Sequence, residues 1–234
     1  MSERLQKIIA EAGLMSRRAA EQAILDGRVV LNGRTATLGE SASPGDEILV
    51  DGLAVAAGHE KIYLILHKPR GVVTTMCDEK GRRCVSDLVK EIGVRVYPVG
   101  RLDLDSEGLL LMTNDGDFAH RLTHPSHEIN KTYLVRVSGP ELKNAIERLA
   151  LPMTIEDYTI RPAEVMMTRL LSASEAELHI TIHEGRNRQI RKMCETVGLR
   201  VLRLVRIREG SLALGDLPSG KWRYLTEEEI RSFD

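Results

Sequence analysis

Apolar residues near the start of the chain recur at the spacing of two short helices. The first helix is expected to bury a stripe with i, i+3, i+4, i+7 spacing, formed by Leu5, Ile8, Ile9 and Ala12. Gly13 ends this helix, and a second helix is predicted to begin at Ser16, a good N-cap residue, and to end at Gly27. Strands at Val29–Leu31 and Glu47–Val50 complete a compact helix–helix–strand unit.

Beyond residue 60 the pattern predicts strands and helices without a regular alternation. Short apolar runs or period-two alternation predict strands at Ile62–Leu66, Arg95–Val99, Leu109–Met112, Lys131–Val137, Leu178–His183 and Val201–Ile207. Helical spacing predicts helices at Ser86–Ile92, Glu141–Leu149, Arg188–Val197 and Thr226–Phe233. This mixture indicates an α+β fold rather than a doubly wound one.

A run of small residues separates the two regions. Leu53–Glu60 is rich in alanine and glycine and is interpreted as a linker. We therefore expect two domains, at residues 1–55 and 61–234, joined by a linker at 56–60. The paired methionines Met166 and Met167 are expected to lie in the core of the second domain.

The net charge of −1 over 234 residues hides an uneven distribution. Residues 1–34 hold six basic residues against four acidic ones, and residues 181–208 hold eight against two. Between them, residues 35–60 hold five acidic residues and no basic ones. Two separated basic zones indicate either a polyanion bound at two places or ordinary solvated faces. Only 3% of the residues are aromatic, too few for a surface that stacks many bases.

The three cysteines, Cys77, Cys84 and Cys194, form neither an even disulfide framework nor a C-x-x-C pair, which is typical of a reducing compartment. The first residues resemble no signal peptide, and no apolar run reaches the length of a membrane span. The sequence therefore predicts a cytoplasmic protein that does not enter a membrane. A monomer is expected, because no large apolar face is left unexplained.

The densest chemical signal is the acidic stretch VGRLDLDSEGLLLMTNDGD at residues 99–117. A calcium loop is disfavoured, because its twelfth position would be Asn114 rather than glutamate. A D-x-D metal site for glycosyl transfer through Asp103 and Asp105, a paired-carboxylate glycosidase and a turn with solvated acids all stay open. A zinc site is disfavoured at the trio His120, His124 and His127, because Pro125 would interrupt a helix that aligned them.

Two resemblances distinguish among these possibilities. The stretch RLQKIIAEAGLMSRRAAEQAILDGRVVLNG resembles the S4-like RNA-binding module. The segment GRLDLDSEGLLLMTNDG is similar to the signature of RNA pseudouridine synthases, in the branch with the small-subunit ribosomal enzyme and the large-subunit enzymes B, E and F. Three further motifs follow the same family's order: HKPRGVVTT at 67–75, NKTYLV at 130–135 and EGRNRQIRKM at 184–193. The arginine-rich third motif is most like that of the B enzymes in this branch.

The resemblance implies a fold and a set of catalytic residues. It implies a small S4-like domain followed by a catalytic domain with a mixed, mainly antiparallel sheet. Asp103 matches the catalytic aspartate, which acts on the ribose, and Tyr133 matches the tyrosine that packs on the uracil. Arg186 matches the basic residue that pairs with the aspartate and favours its charged form. The isomerisation involves no redox step or group transfer, so no cofactor and no metal are expected.

The same resemblance implies ribosomal RNA as the partner, with large-subunit RNA favoured. RNA contacts are expected at eleven basic residues: Arg4, Arg17, Arg18, Arg28, Lys68, Arg70, Arg101, Lys131, Arg188, Arg191 and Lys192. Arg17 and Arg18 are placed by the helix prediction at a helix N-terminus, which suits phosphate. The alternatives are a small-subunit RNA substrate and a non-catalytic ribosome-assembly factor that keeps the fold.

Overall fold

The computed structural model describes residues 2–56, 58–124 and 129–233. The chain divides into two compact units. The first comprises Met1–Ile62, Ile92–Val96 and Asn114–Gly116, and the second comprises Tyr63–Glu91, Tyr97–Thr113 and Asp117–Asp234. The domain limits expected from the linker composition stay a prediction.

The first unit contains two helices and a small sheet. Its elements are β1 (Glu3–Arg4), α1 (Leu5–Glu11), α2 (Arg17–Leu25), β2 (Val29–Leu31), β3 (Arg34–Thr35), β4 (Ser41–Ala42), β5 (Ile48–Val50) and β6 (Leu53–Ala54). Ser16 is the N-cap of α2, and its Oγ accepts a hydrogen bond from the backbone N–H of Ala19 at 3.1 Å. Both helices bury their apolar stripes in one core with the strands. Leu53–Ala54, interpreted as the start of the linker, is instead a strand paired with β5.

The second unit is built on a nine-stranded sheet. Its strands are β7 (Tyr63–Lys68), β8 (Tyr97–Pro98), β9 (Glu107–Thr113), β10 (Lys131–Ser138), β13 (Glu164–Ser172), β14 (Glu175–Ile182), β15 (Arg200–Glu209), β16 (Leu212–Ala213) and β17 (Trp222–Tyr224). A separate hairpin joins β11 (Met153–Ile155) to β12 (Tyr158–Ile160). The helices are α3 (Gly116–Thr123), α4 (Leu142–Leu149), α5 (Gln189–Thr196) and α6 (Glu227–Arg231). Both the α+β class and the S4-plus-catalytic order are confirmed.

The sheet has the main order β13-β14-β10-β15-β9-β7-β17, with β8 on β9 and β16 on β15. Its pairs are antiparallel except at β9 and β15, which pair in parallel through Glu107 with Val205 and Gly108 with Arg206. A Cβ atom on Gly108 would lie 2.2 Å from the Arg206 carbonyl oxygen, so only glycine allows this approach. The acidic stretch therefore enters the sheet directly beside β15.

Two further local predictions were wrong. Ser86–Ile92 forms two short 3₁₀ helices, Val85–Leu88 and Lys90–Ile92, rather than one α-helix. Met166 and Met167 are 58% and 49% exposed on the edge strand β13, not in the core. Met166 and Met167 pair with β14 on one side only, so their side chains have no second layer to pack against.

Candidate active site

A cavity of about 820 Å³ opens in the second unit beside the parallel pair of strands. The acidic loop 100–106 forms one side, and β10 and β15 form the floor. The segment 182–190, which leads into α5, forms the opposite side. Asp103, Tyr133 and Arg186 all line this cavity, so the structure brings the three predicted catalytic residues to one place.

The loop that carries Asp103 is fixed from below by buried hydrogen bonds. The Nζ of Lys68, at the end of β7, donates to the carbonyl oxygens of Ser106 at 2.8 Å and Pro69 at 3.0 Å. The hydroxyl of Thr74 donates to the carbonyl oxygen of Leu102 at 2.6 Å. These bonds satisfy backbone acceptors that the tight loop cannot pair within itself. They place the Asp103 side chain, which is 35% exposed, at the cavity wall.

Lys68 is therefore not a surface contact for RNA, as the sequence suggested. Its side chain is completely buried. Burial lowers the pKa of Lys68 to about 8, although the nearby carboxylates of Asp103, Glu107 and Asp105 oppose this shift. The residue anchors the loop from inside the fold and cannot reach a phosphate.

Tyr133 lies on β10 at the floor of the cavity, where its side chain is only 8% exposed. Burial raises the pKa of its hydroxyl, and the guanidinium of Arg206 partly opposes that shift. Tyr133 pairs with Arg206 on β15 next to a register shift that separates this pair from Thr132 and Arg208. This irregularity turns the local twist of the strands, as bulges do beside many active sites.

Behind Tyr133 lies a buried charge network that the sequence analysis missed. Arg206 is 2% exposed and donates through Nε to the Leu109 carbonyl oxygen at 2.7 Å. Its Nη2 lies 3.4 Å from Oε2 of Glu209, and Nζ of Lys131 lies 3.8 Å from Oε1 of the same carboxylate. Arg206 stands in a basic, surface-like stretch of sequence, and only its parity with the buried positions of β15 could have indicated an inward side chain.

Among the described residues, the expected ion pair between Asp103 and Arg186 is absent, which corrects the prediction. Arg186 donates through Nε to Glu184 at 2.9 Å, and its Cζ lies 4.2 Å from the ring centroid of Tyr158. Within the described ranges, the cation paired with Asp103 is Arg188, whose Nη1 lies 3.8 Å from Oδ2. The exchange follows from the left-handed backbone of Arg188 (φ 52°, ψ 30°), which immediately precedes α5.

The remaining predicted RNA contacts fall into two groups. Arg17, Arg18, Arg70 and Arg101 are exposed, and Arg101 also lines the cavity. The others have partners within the protein: Arg4 with the Gly39 carbonyl, Arg28 with Asp51, Lys131 with Glu209 and the Ile129 carbonyl, Arg188 and Arg191 with Asp105, and Lys192 with Glu156.

The described residues contain no group of three or more His, Cys, Asp or Glu side chains arranged to hold a metal ion. The rings of His120 and His124 lie 5.1 Å apart, and His127 lies outside the described residues. Within the described ranges, no helix combines the length and the apolar character that a membrane crossing requires.

Comparisons with known proteins agree with this arrangement. A family model described as RNA pseudouridylate synthase matches residues 62–196, and an S4 domain model matches residues 3–48. The chain is 44% identical over 231 residues to ribosomal large subunit pseudouridine synthase B of Bacillus subtilis, covering 98% of this chain and 94% of that protein. It is 40% identical to the protein of the same name from Vibrio cholerae, covering 98% and 74%. A crystal structure of a pseudouridylate synthase superposes with a TM-score of 0.68 at 32% identity over 99% of both chains.

Proposed function

This chain belongs to the RNA pseudouridine synthase family, and on that premise we propose that it isomerises a uridine of large-subunit ribosomal RNA with Asp103 as the catalytic carboxylate. The large-subunit assignment is supported by relatives named as large-subunit enzymes, which match nearly the whole of this chain. The S4 domain supports an RNA partner.

The observation that carries the proposal is the shared cavity of Asp103 and Tyr133. Isomerisation breaks the bond between the ribose and the base nitrogen, turns the base, and joins it to the sugar through carbon. A carboxylate begins this sequence by attacking or deprotonating the sugar, and it has to be ionised to do so. Asp103 is partly exposed at the wall and has Arg188 beside it, so both access and a positive neighbour are present.

The tyrosine supplies the second requirement. A uridine has to leave its helical stack before its glycosidic bond can be reached, and this costs a few kcal/mol. The ring of Tyr133 lines the cavity on a rigid strand, where it offers an apolar face to one flipped base. One well-placed ring is sufficient for a single base, which agrees with the low aromatic content of the chain.

The test incubates purified protein with deproteinised large-subunit and small-subunit ribosomal RNA, and maps new pseudouridines by carbodiimide-stop sequencing. We expect one modified position in the large-subunit RNA with the wild type and none with Asp103→Asn. Asp216→Asn, which removes an exposed carboxylate away from the cavity, is the matched control and should retain full activity.

Each other outcome has a defined meaning. A position gained only in small-subunit RNA would overturn the substrate assignment and leave the reaction intact. Modification that persists in Asp103→Asn would overturn the role of that carboxylate. RNA binding without any new pseudouridine would favour the assembly factor that keeps the fold without the chemistry.

A further inference from the structure

Asp105, two residues after Asp103, is held by two arginines from the opposite wall of the cavity. Its carboxylate accepts hydrogen bonds from Nη1 and Nη2 of Arg188 at 3.1 and 3.2 Å, a bidentate arrangement. Nη2 of Arg191 donates to the Asp105 carbonyl oxygen at 2.9 Å and lies 3.3 Å from Oδ2. The main chain and the side chain of Asp105 are thus both tied to the start of α5.

The same guanidinium of Arg188 approaches Asp103 without hydrogen bonding to it. The distance from Nη1 to Oδ2 of Asp103 is 3.8 Å, against 3.1 Å to Oδ1 of Asp105. A direct bidentate pair with Asp103 would occupy both oxygens that have to act on the sugar. Because Asp105 takes the donors, Asp103 keeps a nearby positive charge while its oxygens stay free for substrate.

The backbone at Arg188 is held in an unusual conformation. A left-handed residue that is not glycine costs on the order of 1 kcal/mol, and such conformations persist where the surroundings hold them. The next residue, Gln189, is buried, and its side-chain oxygen accepts the backbone N–H of Arg186 at 3.1 Å. The turn is therefore fixed on both sides of Arg188, and it directs that side chain across the cavity.

On the basis of the proposed function, we propose that Arg188 is a positioning residue for Asp103 and that Asp105 holds it in place. Arg188 was expected from the sequence to contact RNA, which would make it a binding residue only. The structure assigns it a role in the chemical step, exerted through the charge and the position of Asp103.

A neighbouring ion pair provides a matched control. Arg203 donates through Nε and Nη2 to the carboxylate of Glu107 at 3.1 and 3.0 Å, so this pair is also bidentate. It fastens the end of the same acidic stretch to β15, and neither of its residues lines the cavity. Loss of this pair tests whether any weakening of the loop is enough to slow the reaction.

The experiment measures single-turnover rates and RNA affinity for Arg188→Gln, Asp105→Asn, their double variant and Arg188→Lys, beside Glu107→Gln and Arg203→Gln. We expect Arg188→Gln and Asp105→Asn each to slow the chemical step about 10- to 100-fold with RNA affinity nearly unchanged. The double variant should be little slower than Arg188→Gln alone, because both changes remove one device. Arg188→Lys should recover part of the rate, and the two control variants should keep the wild-type rate within about twofold.

Two results would overturn this inference. One is weaker RNA binding by Arg188→Gln with an unchanged chemical rate, which would make Arg188 a phosphate contact. The other is an equal loss of rate in Glu107→Gln and Asp105→Asn, which would indicate general weakening of the loop. Because the wild type and Asp103→Asn are assayed together, an inactive wild type would refute the proposed function, whereas an active wild type with an unaffected Asp105→Asn refutes the inference alone.

Discussion

The two basic zones of the chain, residues 1–34 and 181–208, have similar sequences of charge but different structural roles. In the first zone Arg17 and Arg18 are exposed at the start of α2, and in the described part of the chain neither has an ion-pair partner. In the second zone six of the eight basic residues form ion pairs, namely Arg186, Arg188, Arg191, Lys192, Arg203 and Arg206. A positive stretch of sequence can therefore either offer charge to a ligand or use that charge inside the fold.

The difference follows from where the acidic partners lie. The partners of Arg188 and Arg203 come from the acidic stretch around Asp105 and Glu107, more than 80 residues earlier in the chain. The charge of the second zone is thus largely neutralised by residues that are distant in sequence and adjacent in the sheet. A window of sequence cannot detect this, whereas the pairing of β9 with β15 makes it unavoidable.

The strongest test of the comparison is Arg206→Met in the second zone. The change leaves the buried carboxylate of Glu209 with only Lys131 at 3.8 Å, and loss of one partner of a buried pair costs about 3–5 kcal/mol. We expect a decrease of that size in the free energy of unfolding, measured by urea denaturation. Arg208→Gln, two residues along the same strand and exposed, should change it by less than about 0.5 kcal/mol. Equal effects of the two changes would contradict the difference between paired and exposed arginines.

A second test uses Lys68, a basic residue enclosed by the fold. Its pKa is lowered from 10.5 to about 8 by burial, so the native protein releases this proton at lower pH than the unfolded chain does. Between about pH 8 and 10.5 the unfolded chain binds more protons, and the contribution of Lys68 to stability rises with pH through that window. It is lost as the pH falls through about 8. Unfolding free energies of the wild type and Lys68→Met across this range should diverge in favour of the wild type, and parallel curves would show that Lys68 keeps an ordinary pKa.

The smallest expected effect belongs to the exposed zone. Arg17→Gln and Arg18→Gln should weaken RNA binding and reduce the slope of log affinity against log salt by about one for each phosphate that is no longer neutralised. Their melting temperatures should not change, because neither side chain has an ion-pair partner among the described residues. Arg34→Gln, whose side chain is paired with Glu40 at 2.8 Å, is the control and should leave the salt slope unchanged. Equal slopes in all three variants would remove α2 from the RNA-binding surface.

Local signals in the sequence were sufficient for much of the fold. Ser16 as an N-cap and the capping box of Thr226 with Glu229 are confirmed, because each depends on residues at most three positions apart. The edge strand β13 was missed, because its apolar side chains are exposed and follow no regular pattern of burial. The helix α3 was missed as well, since it follows directly on the acidic stretch that drew a chemical interpretation.

The candidate site was predictable by residue type and only partly by geometry. Asp103 and Tyr133 lie in one cavity, as their motifs indicated, and their roles stay predictions. The choice between Arg186 and Arg188 as the partner of Asp103 depended on one left-handed residue, which has no signature in a run of polar and basic side chains. Glu209 and Arg206 were missed because burial of a charge is decided by strands that meet from distant parts of the chain.

The close approach at Gly108 also determines when the site can exist during synthesis. The loop with Asp103 is complete once residue 108 has been made, but its neighbour Arg206 comes about 100 residues later. Contacts between such distant segments carry a large loop-closure cost and form late in folding. A growing chain that has not yet added β15 lacks the charge network behind Tyr133 and the wall that directs Arg188. The carboxylate therefore gains its final surroundings only when nearly the whole chain is available, and partly made protein carries the acidic loop without its partners.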